Sequence, residues 1–121
     1  MRFLAGTPNV PGLYAARAGI HIVREVGVDL IRARSQAETS FVVEQAQARG
    51  LTVRTPLDPA KRSGMICLDF DGAESACQAM LERDCVIDYR PDCGVRVSPH
   101  FYNTREDLER FFELLDEVRA T

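Results

Sequence analysis

The chain has 121 residues, of which 45% are hydrophobic and 27% charged, which is enough apolar material for one ordinary core. Its formal net charge is -3 with acidic and basic residues interspersed, so it lacks the broad positive field that nucleic-acid binding requires. No apolar run approaches the roughly 20 residues needed to cross a bilayer, and the first residues lack the charged-then-apolar layout of a secretion signal. We therefore expect a cytoplasmic protein without a nucleic-acid or membrane partner.

The first half of the chain is predicted to be helical after an extended start. Residues 1–12 contain two glycines and two prolines and show no helix or strand periodicity, which predicts an extended segment. From Leu13 onward, apolar residues recur with an approximate helical period until Gly50, which supplies a C-terminal stop. This pattern predicts one long helix or two consecutive helices.

The second half alternates short strands with helices. Apolar and β-branched residues predict strands over 51–55, 64–70, 85–89 and 94–98. A helix with one apolar face is predicted over about residues 73–83 with Asp71 as its cap. A final helix follows Thr104, where Asp107 completes a capping-box-like start. We expect residues 13–121 to form one α+β domain, in which helices cover one face of a small, mostly antiparallel four-stranded sheet.

The cysteines and histidines predict no metal site. The four cysteines, at positions 67, 77, 85 and 93, match no metal-binding spacing, and a CxxC pair is absent. His21 and His100 lie far apart in the sequence. In a protein that is not secreted, we expect the thiols to stay reduced and to pack as small hydrophobic side chains.

Arg96 is the charged residue with the most suggestive position. It lies between Val95 and Val97 on a short alternating strand, so its side chain is expected on the face opposite the two valines. The residues alone favour an arginine solvated on an open sheet face, with anion binding as the alternative.

Four stretches of the sequence together resemble, in order, the C-terminal part of pyridoxal-phosphate (PLP) enzymes of the class V aminotransferase superfamily, and kynureninase most of all. The stretches are RFLAGTPNVPGLYAARAGI, RTPLDPAKRSG, VIDYRP and GVRVSPHFYNT, and they extend over essentially the whole chain. The resemblance implies the small domain of a fold-type I PLP enzyme. The full-length enzymes of that family cleave kynurenine hydrolytically to anthranilate and alanine, a step of tryptophan catabolism.

The resemblance also implies roles for individual residues. Arg96 matches the arginine that binds the α-carboxylate of a small amino-acid substrate, for which a planar guanidinium is well suited. Gly6 and Thr7 match a pair that reaches the cofactor phosphate of a partner subunit, which implies a homo-oligomer such as a dimer.

The catalytic lysine is not expected in this chain. Lys61 is the only lysine, and it matches a turn of the family's small domain rather than the strand that carries the Schiff base. The family's catalytic groups belong to a large domain, for which no stretch here is a match, so we expect this domain as a missing partner and assign no catalytic residue. The chain alone is expected neither to hold PLP covalently nor to turn over kynurenine.

Other functions remain open at this point. An aminotransferase, an epimerase or a cysteine desulfurase of the same class also carries the carboxylate arginine on its small domain. Cys93 lies three residues before Arg96, but the desulfurase loop is considerably longer, so a nucleophilic role for this thiol is not expected.

A protein of a different class is the other alternative, namely a free-standing module that binds a small carboxylate or dimerises through its sheet. An exposed apolar patch near the N-terminal segment would favour the incomplete enzyme, whereas a polar or covered sheet face would favour the free-standing module.

Overall fold

The computed structural model describes residues 6–120, and this part of the chain contains four helices and one four-stranded sheet. The helices are α1 (Val10–Val26), α2 (Val28–Ala48), α3 (Ala73–Leu81) and α4 (Arg105–Arg119). The strands are β1 (Thr52–Val53), β2 (Ile66–Asp69), β3 (Asp88–Arg90) and β4 (Gly94–Val97). Two compact units are present, Met1–Ile31 and Arg32–Thr121, and the boundary between them falls within α2.

The first helix begins earlier than the sequence predicts. The side-chain oxygen of Asn9 accepts a hydrogen bond from the backbone N–H of Gly12 at 3.1 Å and caps the helix. Pro11 falls in the first turn, where a backbone N–H has no helical partner. Helix α1 therefore includes the last three residues of the segment that was expected to be extended over residues 1–12, and the first five residues of that segment lie outside the described part of the chain. Gly27, with φ +87°, ends α1, so the helical half of the chain forms two consecutive helices.

The sheet confirms the predicted α+β class and lies entirely in the second unit. Its strand order is β1-β2-β4-β3, and every neighbouring pair is antiparallel. The period of two places Ile66 and Leu68 of β2 and Val95 and Val97 of β4 on one face, where they share a buried core with residues of α2, α3 and α4. The largest fully buried side chains of this core are Phe112, Ile66, Leu68, Met80, Leu115, Val42 and Val95.

The turn between β3 and β4 approaches β2 closely. Asp92 and Gly94 both have positive φ, at 62° and 89°. A Cβ atom added to Gly94 would lie 2.2 Å from the carbonyl oxygen of Leu68, which is closer than two such atoms can approach. Glycine is therefore required at this position both by the backbone angle and by the contact.

The start of α4 forms the predicted capping box. Thr104 Oγ1 accepts a hydrogen bond from the Asp107 N–H at 3.2 Å, and an Asp107 carboxylate oxygen accepts one from the Thr104 N–H at 2.9 Å. The predicted cap of α3 is wrong, because Gly72 occupies the cap position in a left-handed conformation and Asp71 precedes it.

A buried carboxylate joins α2 to the start of α4. Glu38 is only 3% exposed, and its two carboxylate oxygens pair with Arg34 Nε at 3.0 Å and with Arg105 Nη2 at 3.1 Å. The Arg34 guanidinium also donates a hydrogen bond to the carbonyl oxygen of Asn103 at 3.3 Å. The segment that follows β4 is thereby held against α2.

Candidate functional site

Arg96 lies on the face of the sheet opposite the core, as the sequence predicts. In the strand register, Arg96 is opposite Cys67 on β2 and opposite Asp88 on β3. Residues directly opposite each other in antiparallel strands point to the same face, so the three side chains form one cluster. The Arg96 side chain is 31% exposed and is therefore accessible from solvent.

The electrostatics of the cluster are dominated by one carboxylate shared between two arginines. Asp88 accepts a hydrogen bond from the guanidinium of Arg96 and pairs with Arg90 Nη2 at 3.3 Å. The hydrogen bond from Arg96, together with the charge of Arg90, holds the pKa of Asp88 below its usual range, and the same hydrogen bond raises the pKa of Arg96. Two guanidiniums thus share one carboxylate, which leaves one formal positive charge in excess.

The hydrogen-bonding capacity of Arg96 is not used up. Its Nη2 donates to Asp88, whereas its buried Nε has no hydrogen-bond partner among residues 6–120. A guanidinium presents five N–H donors in a planar fork, which matches the two oxygens of a carboxylate. The arrangement is chemically suited to accept a second carboxylate beside Asp88.

The nearest thiols form a pair. The Cys93 thiol, in the turn before β4, donates to the sulfur of Cys67 at 3.1 Å. This hydrogen bond is the main reason that the pKa of Cys93 is raised, and desolvation adds to the effect. Because the thiolate is the nucleophilic form of cysteine, a raised pKa makes Cys93 a weak nucleophile at neutral pH.

The resemblance also singles out Gly6, Thr7 and Lys61, each of which is described within its own unit. Gly6 and Thr7 belong to the first unit, where both are exposed, and a side chain at Gly6 would meet no described atom within 4 Å. Lys61 belongs to the second unit, where it is exposed in a turn whose backbone is closed by a hydrogen bond from its own N–H to the Asp58 carbonyl.

Asp88 and Arg90 are the members of the cluster whose pairing sequence reasoning missed. The local sequence pattern assigns neither residue a partner. A signal for the pairing is nevertheless present. If the Pro91–Cys93 stretch is taken as the loop of a hairpin, Arg90 falls opposite Gly94 and Asp88 falls opposite Arg96, which is the observed register.

No helix within residues 6–120 is long and apolar enough to cross a membrane. The same part of the chain holds no group of three or more histidine, cysteine or acidic side chains placed to bind a metal ion.

The resemblance seen in the sequence is confirmed by comparison with known proteins. A kynureninase from Bacillus mycoides is 28% identical over 118 residues, which cover 93% of this chain but 28% of that enzyme. An uncharacterized aminotransferase from Bacillus subtilis, YcbU, is 29% identical over 98% of this chain and 31% of its own length. The chain thus spans about 28% to 31% of the length of these curated relatives.

Solved structures show the same fold. The apo structure of a cysteine desulfurase from Thermococcus onnurineus superposes with a TM-score of 0.87 at 22% identity, covering 99% of this chain and 34% of that one. At this identity the likeness concerns the fold alone. The model of the kynureninase C-terminal domain matches residues 31–115, well over half of the sequence, and this chain therefore belongs to the kynureninase C-terminal domain family.

Proposed function

We propose that this chain is the C-terminal domain of a PLP-dependent, kynureninase-type hydrolase and that Arg96 binds the α-carboxylate of the amino-acid substrate. The substrate of the complete enzyme would be kynurenine, cleaved to anthranilate and alanine. The observation that carries the proposal is the Arg96 cluster, in which two guanidiniums share the single carboxylate of Asp88 and the Nε of Arg96 has no acceptor within the described residues. A substrate carboxylate would supply the missing negative charge, and it would approach the part of the guanidinium that is exposed to solvent.

The cofactor would be attached elsewhere. In enzymes of this class, PLP supplies an electron sink for negative charge developing next to the substrate amino group. A Schiff-base lysine needs a desolvated pocket, and Lys61 instead lies exposed in a polar turn, so it does not fit that role. The part proposed for this chain is to orient the substrate through its carboxylate.

The remaining contacts would be made by other parts of the enzyme. A large domain, which the relatives' greater length leaves room for, would carry the lysine and cover the exposed apolar residues of α1, which include Leu13, Tyr14 and Ile20. Gly6 and Thr7 would donate hydrogen bonds to the cofactor phosphate of a second subunit, because both are exposed and Gly6 leaves room for close approach. The assembly would be a cytoplasmic homo-oligomer.

The proposal can be tested in a chimaeric enzyme. The segment of the Bacillus mycoides kynureninase that this chain matches would be replaced by the chain, and PLP loading would be followed by visible absorbance and kynurenine hydrolysis by anthranilate release. We expect hydrolysis, and we expect Arg96→Lys to lower kcat/KM about 100-fold, because a charge-assisted pair worth up to about 3 kcal/mol is disrupted. The matched variant Arg90→Lys should stay within a few-fold of the unmodified chimaera.

Three results would count against the proposal. A PLP-loaded chimaera that leaves kynurenine intact would contradict the hydrolase assignment. Release of sulfide or alanine from cysteine by that chimaera would favour the desulfurase alternative. Equal losses for Arg96→Lys and Arg90→Lys would show that Arg96 contributes only general positive charge.

A further inference from the structure

We propose that Cys67 and Cys93 form a redox pair that closes into an intramolecular disulfide by exchange with a low-molecular-weight disulfide. The two sulfur atoms lie 3.1 Å apart, and both thiols are free in the structure. A disulfide bond is about 2.05 Å long, so the sulfurs need to approach by only about 1 Å. The inference does not depend on the role proposed for Arg96.

The fold itself brings the two thiols together across 26 positions of sequence. Cys67 lies in the middle of β2, and Cys93 lies between the two residues of the β3–β4 turn that have positive φ, Asp92 and Gly94. The missing side chain of Gly94 allows the turn to approach the Leu68 carbonyl. The proximity of the thiols is therefore built into the backbone, and it does not rest on a flexible side chain.

The different exposure of the two cysteines sets the order of events. Cys93 is half-buried, whereas Cys67 is 6% exposed. The Cys93 thiol would lose its proton and attack the small disulfide, which forms a mixed disulfide on Cys93 and releases one thiol. The Cys67 thiol would then lose its proton and attack the sulfur of Cys93, which releases the second thiol. The small disulfide is reduced to two thiols, which carry the two protons, and the two protein thiols are oxidised to one disulfide.

The location gives the bond a consequence for the sheet. Cys67 is directly opposite Arg96, so the bond would tie the β3–β4 turn to β2 beside the guanidinium. Closing a loop of this length restricts the unfolded chain, and we expect the melting temperature to rise by roughly 10 °C. The raised pKa of Cys93 makes the exchange slow at neutral pH and faster in alkaline solution.

The test is to incubate the reduced 121-residue chain with oxidised glutathione, alkylate the remaining thiols and map the peptides by mass spectrometry. We expect a Cys67–Cys93 linkage, with Cys77 and Cys85 alkylated, and we expect this preference to disappear in denaturing urea. Absence of the linkage, or comparable yields of linkages to Cys77 or Cys85 in the folded chain, would overturn the proposal.

Single variants separate the two steps. Cys67→Ser should accumulate the mixed disulfide of glutathione on Cys93, and absence of that adduct would overturn the proposed order. Cys85→Ser is the matched control, because it removes a partly buried thiol outside the pair. The Cys67–Cys93 linkage should form in this variant as in the unmodified chain, and its loss would also count against the pair.

Discussion

At the scale of single residues, the central relationship is between Asp88 and Arg96. The strand register places them opposite each other, and Arg96 donates a hydrogen bond to the Asp88 carboxylate. Asp88 thereby orients a side chain that has many rotamers of its own. In the proposed enzyme the aspartate would hold the guanidinium in place for a substrate carboxylate, so we infer that Asp88 is a positioning residue.

The same pair predicts how the stability of the domain depends on acidity. The pKa of Asp88 is held below its usual range by Arg96, whereas in the unfolded chain it returns to about 3.9. Its stabilising contribution is therefore complete above the unfolded pKa and is lost as the pH falls through the folded pKa. We expect the urea midpoint of the wild-type chain to fall more steeply in acid than that of Asp88→Asn.

The control for this measurement is Glu109→Gln, which removes an exposed carboxylate of α4. In acid solution, the urea midpoint of this variant should fall with pH as steeply as that of the wild-type chain. If Asp88→Asn and the wild-type chain lost stability in parallel, the pairing of Asp88 with the arginines would contribute nothing to the folded state in solution.

At the scale of the elements, the close packing of the β3–β4 turn against β2 predicts that a small substitution has a large effect on stability. Gly94→Ala should destabilise the domain by about 3 kcal/mol, because it combines a positive φ with a Cβ contact of 2.2 Å to the Leu68 carbonyl oxygen. Gly50→Ala is the matched control. Gly50 also has positive φ, at 69°, but its Cβ would meet no atom within 4 Å, so we expect a loss of only about 1 kcal/mol. Urea denaturation measures the free energy of unfolding of both variants. Equal losses of stability would contradict the close approach of Gly94 to the Leu68 carbonyl oxygen.

The elements also show what the sequence could and could not predict. The α4 start was predictable because the Thr104 and Asp107 side chains bond to backbone groups only three residues away. The cap of α3 was not predictable, because a left-handed Gly72 occupies the position at which a side-chain cap from Asp71 was expected.

In the sheet, the position of Arg96 opposite the core was predictable from the period of two, but its pairing with Asp88 required a register that only the turn determines. The contact between Cys67 and Cys93 depends on the path of that turn over β2, which local pattern does not encode.

At the scale of the whole molecule, the sheet face and the first helix differ in character. The sheet face that carries Arg96 is polar, and Arg54 and Asp69 add a further ion pair there at 2.5 Å. No residue of α1, by contrast, is buried. Its exposed apolar side chains, together with those at the start of α2, are Val10, Leu13, Tyr14, Ile20, Ile22, Val23, Val28 and Leu30. An exposed apolar helix is typical of a surface that another domain or subunit covers, which agrees with the finding that this chain spans only part of its relatives' length. The polar sheet face, by contrast, is the outcome expected of a free-standing module.

The second unit is stabilised at this scale by the buried carboxylate of Glu38. Glu38→Gln should lower the free energy of unfolding by about 2 kcal/mol, since it leaves the guanidiniums of Arg34 and Arg105 without their counter-charge while both remain partly solvated. The exposed Glu44→Gln, on the same helix, should change stability by less than about 0.5 kcal/mol. Urea denaturation compares the free energies of unfolding of the two variants. If Glu38→Gln left this free energy unchanged, the two ion pairs would not stabilise the fold.

The most direct test of the central claim is a titration of the 15N-labelled chain with L-kynurenine, observed at the Nε–Hε signal of Arg96. Arg96→Lys assigns this signal by removing it, and Arg90→Lys is the control that keeps it. We predict a shift of the Arg96 signal that follows a binding curve with a dissociation constant on the order of 10 mM or weaker, because one charge-assisted pair supplies at most about 3 kcal/mol. The amide of kynurenine, which lacks the carboxylate, should leave the signal in place. An unchanged signal with kynurenine, or an equal shift with the amide, would contradict the role of Arg96 as the residue that binds the substrate carboxylate.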